Sequence, residues 1–131
     1  MPYLKVLIVD DSQTVRDSVR EVLTAVGICV IEAADGEEGR QLIDLTPDIS
    51  VVLCDVNMPQ MDGLSMLEQV KRHPEHAGLP ILMLTTDGDP ALVRRARDAG
   101  ASGWIVKPFQ DHLLLAAVRR VGQAGGQRAA K

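Results

Sequence analysis

The sequence predicts an α/β fold: a parallel five-stranded sheet covered by helices on both faces. Three observations carry this. Short apolar runs at residues 6–9, 28–31, 49–54, 81–84 and 103–106 alternate with segments of helical spacing. Apart from Ser50 the runs are apolar throughout, as strands buried on both faces require. Five strand–helix units in series then demand crossovers, and hence parallel pairing.

The elements follow in order. Val6-Leu7-Ile8-Val9 stops at Asp10-Asp11. Val15, Val19, Val22, Leu23 and Val26 recur at helical spacing, and Gly27 closes that helix. Ile28-Cys29-Val30-Ile31 is the second strand, ended by the Asp35-Gly36 turn. A short helix through Gly39, Leu42 and Ile43 breaks at Thr46-Pro47. The third strand runs from Ile49 to Cys54 and stops at Asp55. Asp62-Gly63 opens a helix through Leu64, Met66, Leu67 and Val70, ended by His73-Pro74. Ile81-Leu82-Met83-Leu84 is the fourth strand, followed by Thr85-Thr86. Asp89-Pro90 reads as an N-cap with proline in the first helical position. That helix passes through Leu92, Val93 and Ala96, with Gly100 placed for a left-handed C-cap. Gly103 to Val106 is the fifth strand, ended by Lys107-Pro108, and Leu113, Leu114, Ala117, Val118 and Val121 mark the last helix.

The chain has 131 residues, a length suited to one domain. We expect residues 1–121 to form it and residues 122–131 to be a flexible, basic Gly/Ala-rich tail. With 46% hydrophobic and 24% charged residues, the composition excludes a wholly disordered chain. No apolar run approaches the ~20 residues of a membrane span, and the N-terminal residues lack a signal-peptide layout. A cytoplasmic protein is the expectation. Cys29 and Cys54 both sit in apolar runs and are expected to be buried free thiols. His73, His76 and His112 show no metal-ligand spacing and read as surface residues.

Net charge is −4. The last 13 residues hold Arg119, Arg120, Arg128 and Lys131 and no acid, so the first 118 carry 10 basic and 18 acidic groups. An acidic body argues against direct nucleic-acid binding, which needs clustered Lys and Arg.

Five strands suit the flavodoxin-like, doubly wound order 2-1-3-4-5, whose ligands bind beyond the carboxyl ends of strands 1 and 3. Asp10 and Asp11 follow strand 1, Asp55 ends strand 3, Thr85 follows strand 4 and Lys107 follows strand 5. That order brings all five to one edge. Three converging carboxylates repel unless a cation lies among them, and a hard divalent ion such as Mg²⁺ suits oxygen ligands. A metal, an ammonium and a hydroxyl around a carboxylate are what phosphoryl transfer to an aspartate requires. Taken singly, each of these residues is an ordinary turn former or cap; five on one edge point to a phosphate site.

These motifs identify a resemblance. The Asp10-Asp11 pair, the stretch from Asp55 through Asn57, Met58, Pro59 and Asp62-Gly63, Leu84-Thr85-Thr86, and Ala99-Gly100 through Trp104 to Lys107-Pro108-Phe109 resemble two-component response-regulator receiver domains. The stand-alone chemotaxis (CheY-like) type is the nearest in pattern, over residues 4–121. The resemblance implies that Asp55 is the phosphoacceptor for a histidine kinase. It implies that Asp11, Asp55 and the Asn57 main-chain carbonyl bind Mg²⁺ (or Mn²⁺), with Asp10 acting through metal-bound water. Lys107 would pair with Asp55 and a phosphoryl oxygen, and Thr85 would move to bond the phosphoryl group. The Lys107–Pro108 bond is expected to be cis.

Trp104 stands where Tyr or Phe is commoner. It is either the aromatic that rotates inward on activation or an amphipathic cap on an edge strand. Asn57 and Asp87 lie where the family tunes dephosphorylation, and otherwise read as loop formers. The implied output is a protein contact through the fourth helix, fifth strand and fifth helix. Its target would be a flagellar-motor switch or relay protein, with no direct nucleic-acid or membrane role. A monomer is expected, with a dimer through that same face left open. The function read here is thus a signalling switch, not an enzyme acting on external substrates. Two alternatives remain: a pseudo-receiver that binds without phosphate, and the receiver fragment of a longer regulator.

Overall fold

Helix starts in this chain are set by short polar side chains that satisfy the otherwise unbonded first-turn N–H groups. In the computed structural model, which describes residues 4–58, 61–86 and 88–129 and side chains through Gln123, four helices open this way. Ser12 accepts from the Val15 N–H ahead of α1 (Gln13–Thr24). Asp35 accepts from Glu38 ahead of α2 (Gly36–Leu45), while the Glu38 carboxylate reaches back to the Ala34 N–H. Asp62 caps α3 (Gly63–Lys71), and Asp89 caps α4 (Pro90–Asp98) with Pro90 in the first turn. Gly27 and Gly100 take φ of +85° and +107° just past α1 and α4, the left-handed conformation that glycine adopts without a Cβ clash.

The strands are β1 (Lys5–Val9), β2 (Cys29–Ala33), β3 (Val51–Asp55), β4 (Ile81–Thr85) and β5 (Gly103–Val106). All pair in parallel in the order β2-β1-β3-β4-β5, as expected. Strand alternation divides the core into two layers. Leu7, Val9, Val52, Cys54, Ile81 and Met83 face α2, α3 and α4, where Ile43, Met66, Leu67, Val70 and Ala96 cover them. Val6, Ile8, Val51, Leu53, Leu82 and Leu84 face α1 and α5 (Asp111–Ala129), where Val19, Leu23, Leu114 and Val118 close the other side. Each fully buried Leu, Ile or Met stabilises the fold by about 1.5–3 kcal/mol, which makes this double layer the dominant favourable contribution.

Two details differ from the sequence expectations. Cys54 is buried, but Cys29 is exposed because it opens β2, an edge strand. The last helix continues past Val121 to Ala129. Gly122 permits this: a Cβ there would lie 3.0 Å from Val51 and 3.2 Å from Leu4, so the missing side chain lets α5 approach the sheet. Among the described residues, no helix is long and apolar enough to cross a membrane.

Candidate functional site

The carboxyl edge of the sheet gathers the polar residues that the apolar strands exclude. Asp10 follows β1 and is fully buried, Asp55 is the last residue of β3 with 4% exposure, and Thr85 ends β4 with 1%. Asp11 is exposed. Carboxylate oxygens of Asp10, Asp11 and Asp55 all lie within 4.8 Å of one another. The Lys107 ammonium enters from the end of β5, 3.1 Å from Asp10 Oδ2 and 3.2 Å from Asp55 Oδ1.

The backbone holds these groups in place. The Asp10 N–H donates to the Ala33 carbonyl at 3.1 Å, and the Ser12 N–H donates to Asp10 Oδ1 at 2.9 Å. The Lys107 N–H donates to the Thr85 carbonyl at 2.7 Å, and the Lys107–Pro108 bond is cis. The Val56 N–H donates to Leu84 and the Gly63 N–H to Val56, which fixes the chain on either side of Asn57. Asn57 itself is exposed.

Two positioning contacts have no local sequence signature. The Arg16 guanidinium donates to the Asp10 carbonyl and pairs with Glu32 at 3.1 Å. Gly63 packs directly on the phosphoacceptor candidate: a Cβ there would lie 2.0 Å from the Asp55 carbonyl oxygen and 2.8 Å from its carbon. In the sequence, Gly63 after Asp62 reads as an ordinary helix start and carries no mark of this contact.

The electrostatics follow from this crowding. Burial, then the neighbouring Asp10 charge, push the Asp55 carboxyl above its ordinary value, against the pull of Lys107. Burial alone would lower the Lys107 ammonium, but Asp10 and Asp55 together outweigh it and raise the group. The cluster therefore has an excess of carboxylate oxygens over cationic charge, all from hard donors. That donor set fits Mg²⁺, which prefers oxygen ligands and is commonly held by one or two carboxylates plus waters. Burial pushes the neighbouring Cys54 thiol up, and it remains an inert core residue.

Trp104 sits on β5 opposite Met83, partly buried against the layer that contains Ala96. Its indole Nε1 is buried without a hydrogen-bond partner among the described residues. Asp87 lies outside the described residues. Met58 and Met61 pack against the core, and His73 and His112 are exposed. His76 is mostly hidden, with 13% of its side chain exposed, because it turns toward Asp44 at 3.0 Å.

This arrangement has close relatives. A family model described as the response regulator receiver domain matches residues 6–119. A chemotaxis protein CheY homolog of Campylobacter jejuni is 38% identical over 130 residues, which is 98% of this chain and all of that one. Chemotaxis protein CheY1 of Helicobacter pylori is 38% identical over 112 residues, covering 85% of this chain and 90% of that one. The solved structure of Vibrio cholerae chemotaxis protein CheY4 superposes with a TM-score of 0.86 at 38% identity, covering 92% of this chain and 99% of that one. With the fold, the acidic edge and the strand order in agreement, the chain belongs to the response regulator receiver domain family.

Proposed function

We propose that this receiver is a phospho-accepting switch of the chemotaxis type, with Asp55 as the residue that takes a phosphoryl group from a histidine kinase. The observation that carries this reading is the Lys107 ammonium bridging Asp10 and Asp55 within 3.2 Å, with Asp11 alongside. An Asp55 carboxylate oxygen attacks the phosphorus of a phosphohistidine. A P–O bond forms as the P–N bond breaks, and the electron pair leaves on the imidazole nitrogen. Lys107 offers its positive charge to a phosphoryl oxygen, and the Thr85 hydroxyl donates to another. Asp11, Asp55 and the Asn57 main-chain carbonyl would hold Mg²⁺ or Mn²⁺, with Asp10 acting through metal-bound water, and such an ion would supply further neutralising charge. Asn57 and Asp87 tune the later attack of water, which returns inorganic phosphate and the free carboxylate.

A receiver acts as a signalling switch. Its chemistry here is self-directed: phosphoryl acceptance and hydrolysis, with no external substrate turned over. Phosphorylation shifts an existing equilibrium at the face of α4, β5 and α5, where Trp104 is the switch aromatic. The output partner is a protein, either a flagellar-motor switch component or a relay member, in the cytoplasm. A pseudo-receiver has no physical need for all five of Asp10, Asp11, Asp55, Thr85 and Lys107, so that reading is not favoured.

The test is an intact mass after incubation with Mg²⁺ and acetyl phosphate. One added phosphoryl group is expected, absent from Asp55→Asn and from a metal-free sample. Absence of an adduct, together with no change in Trp104 fluorescence on adding beryllofluoride, would sink the proposal.

A further inference from the structure

The two acids that follow β1 are held very differently. Asp10 is buried, and each of its polar groups is engaged: its N–H donates to the Ala33 carbonyl at 3.1 Å, Oδ1 accepts from the Ser12 N–H at 2.9 Å, and Oδ2 accepts from Lys107 at 3.1 Å. Asp11 is exposed, and its carboxylate makes no hydrogen bond or ion pair among the described residues. What directs the Asp11 side chain is therefore its backbone. The Asp10 carbonyl and the Asp11 N–H belong to one planar peptide unit. The Arg16 guanidinium grips that unit by donating through Nη1 to the Asp10 carbonyl.

We propose that Arg16 is a positioning residue for the divalent ion of the acidic edge. By fixing the Asp10–Asp11 peptide plane, it sets the direction in which the Asp11 carboxylate leaves the chain, and so the affinity for the ion. The inference rests on Asp11 and Asp55 being metal ligands, as proposed above. The guanidinium is itself locked. Its side chain is only 11% exposed, Nε donates to Glu32 Oε1 at 3.1 Å, and Nη2 donates to Gln13 Oε1 at 2.6 Å. Glu32 is held in turn by Arg20, 2.8 Å from its other oxygen.

One planar fork thus joins the end of β1, the first residue of α1 and the edge strand β2. A lysine ammonium keeps the charge of an arginine but not its fixed set of donors, so it cannot reproduce all three bonds. Charge and geometry also act here with opposite signs. A cation beside three carboxylates repels a second cation, so through charge alone Arg16 would oppose metal binding. Removing it would also leave the Glu32 charge less compensated, which favours a cation further. Through position, Arg16 favours binding. The direction of the change on its removal therefore separates the two.

The experiment follows the rise in melting midpoint with Mg²⁺ concentration in the whole chain, its Arg16→Met variant and its Arg16→Lys variant, since an ion that binds only the native state stabilises it by mass action. Arg16→Met should need about 10-fold more Mg²⁺ for the same rise, the loss typical of partners that orient metal ligands. Arg16→Lys should fall between that variant and the parent. The Mg²⁺ concentration for half-maximal acetyl phosphate labelling of Asp55 should move in parallel. A purely structural role would lower the midpoint at every Mg²⁺ concentration and leave the rise unchanged. That result, or a rise at lower Mg²⁺ in Arg16→Met, would overturn the proposal. If Arg16→Met does not fold, an unchanged Mg²⁺ dependence in Arg16→Lys overturns it instead. A parent whose midpoint ignores Mg²⁺ would remove the metal reading of Asp11 and Asp55, and this inference with it.

Discussion

Lys107 donates to Asp10 Oδ2 at 3.1 Å across 97 positions of the chain. The bond joins the carboxyl ends of β1 and β5, strands that are not neighbours in the sheet. Lys107 is thus the one cation that two buried carboxylates share at this edge, among the described residues.

Lys107→Met should therefore destabilise the metal-free protein by about 3 kcal/mol, because it leaves buried carboxylate charge uncompensated. The loss should shrink in Mg²⁺. The raised Lys107 ammonium also sets an alkaline limit. Its stabilisation is full below the unfolded value of 10.5 and disappears as pH rises through the higher native value. Urea midpoints measured from neutral to strongly alkaline pH should fall for the parent and change less for the variant.

Asp55 has the same sign of pH dependence, but here the fold favours the neutral form and not the charged one. Its carboxyl is raised above 3.8, first by burial and then by Asp10, so the native state holds that proton more tightly than the unfolded chain. Stability from this group is present below the unfolded value and is lost as pH rises through the native one. In the absence of metal at neutral pH, Asp55→Asn should raise stability by on the order of 1 kcal/mol, a few degrees in melting midpoint. Thermal melts in a chelator would check it. Equal or lower midpoints for the variant would refute the electrostatic account.

Gly63→Ala should cost about 3 kcal/mol, the upper range for overpacking, since the new methyl would overlap the Asp55 carbonyl. Whatever folds should also accept phosphate more slowly, because relief of the clash displaces the backbone of Asp55. Equilibrium unfolding and the rate of acetyl phosphate labelling report the two effects separately.

The cysteines divide by burial. A chromogenic disulfide reagent should titrate one thiol per native chain, Cys29, and two after denaturation. Rapid native reaction of Cys54 would mean that the layer facing α2, α3 and α4 opens far more readily than its packing implies.

Local patterns along the chain suffice to place the elements and their punctuation. Apolar runs, the Asp62 and Asp89 helix starts, and the glycines at 27 and 100 are local signals, read within a turn or two of the chain, whereas the Ser12 and Asp35 caps emerged only with the structure. The acidic edge was legible as well, because each of its residues ends or follows a strand and parallel order sends all such ends to one side. Distances and contacts depend on the packing of the layers. Cys29 resembles its apolar neighbours but falls where an edge strand begins. Gly63 resembles any helix-opening glycine until the Asp55 backbone is set against it. His76 finds Asp44 32 positions away only because α2 and the turn before β4 end at the same edge. Such pairings depend on how layers are stacked, and periodicity along the chain carries no information about which helix ends meet.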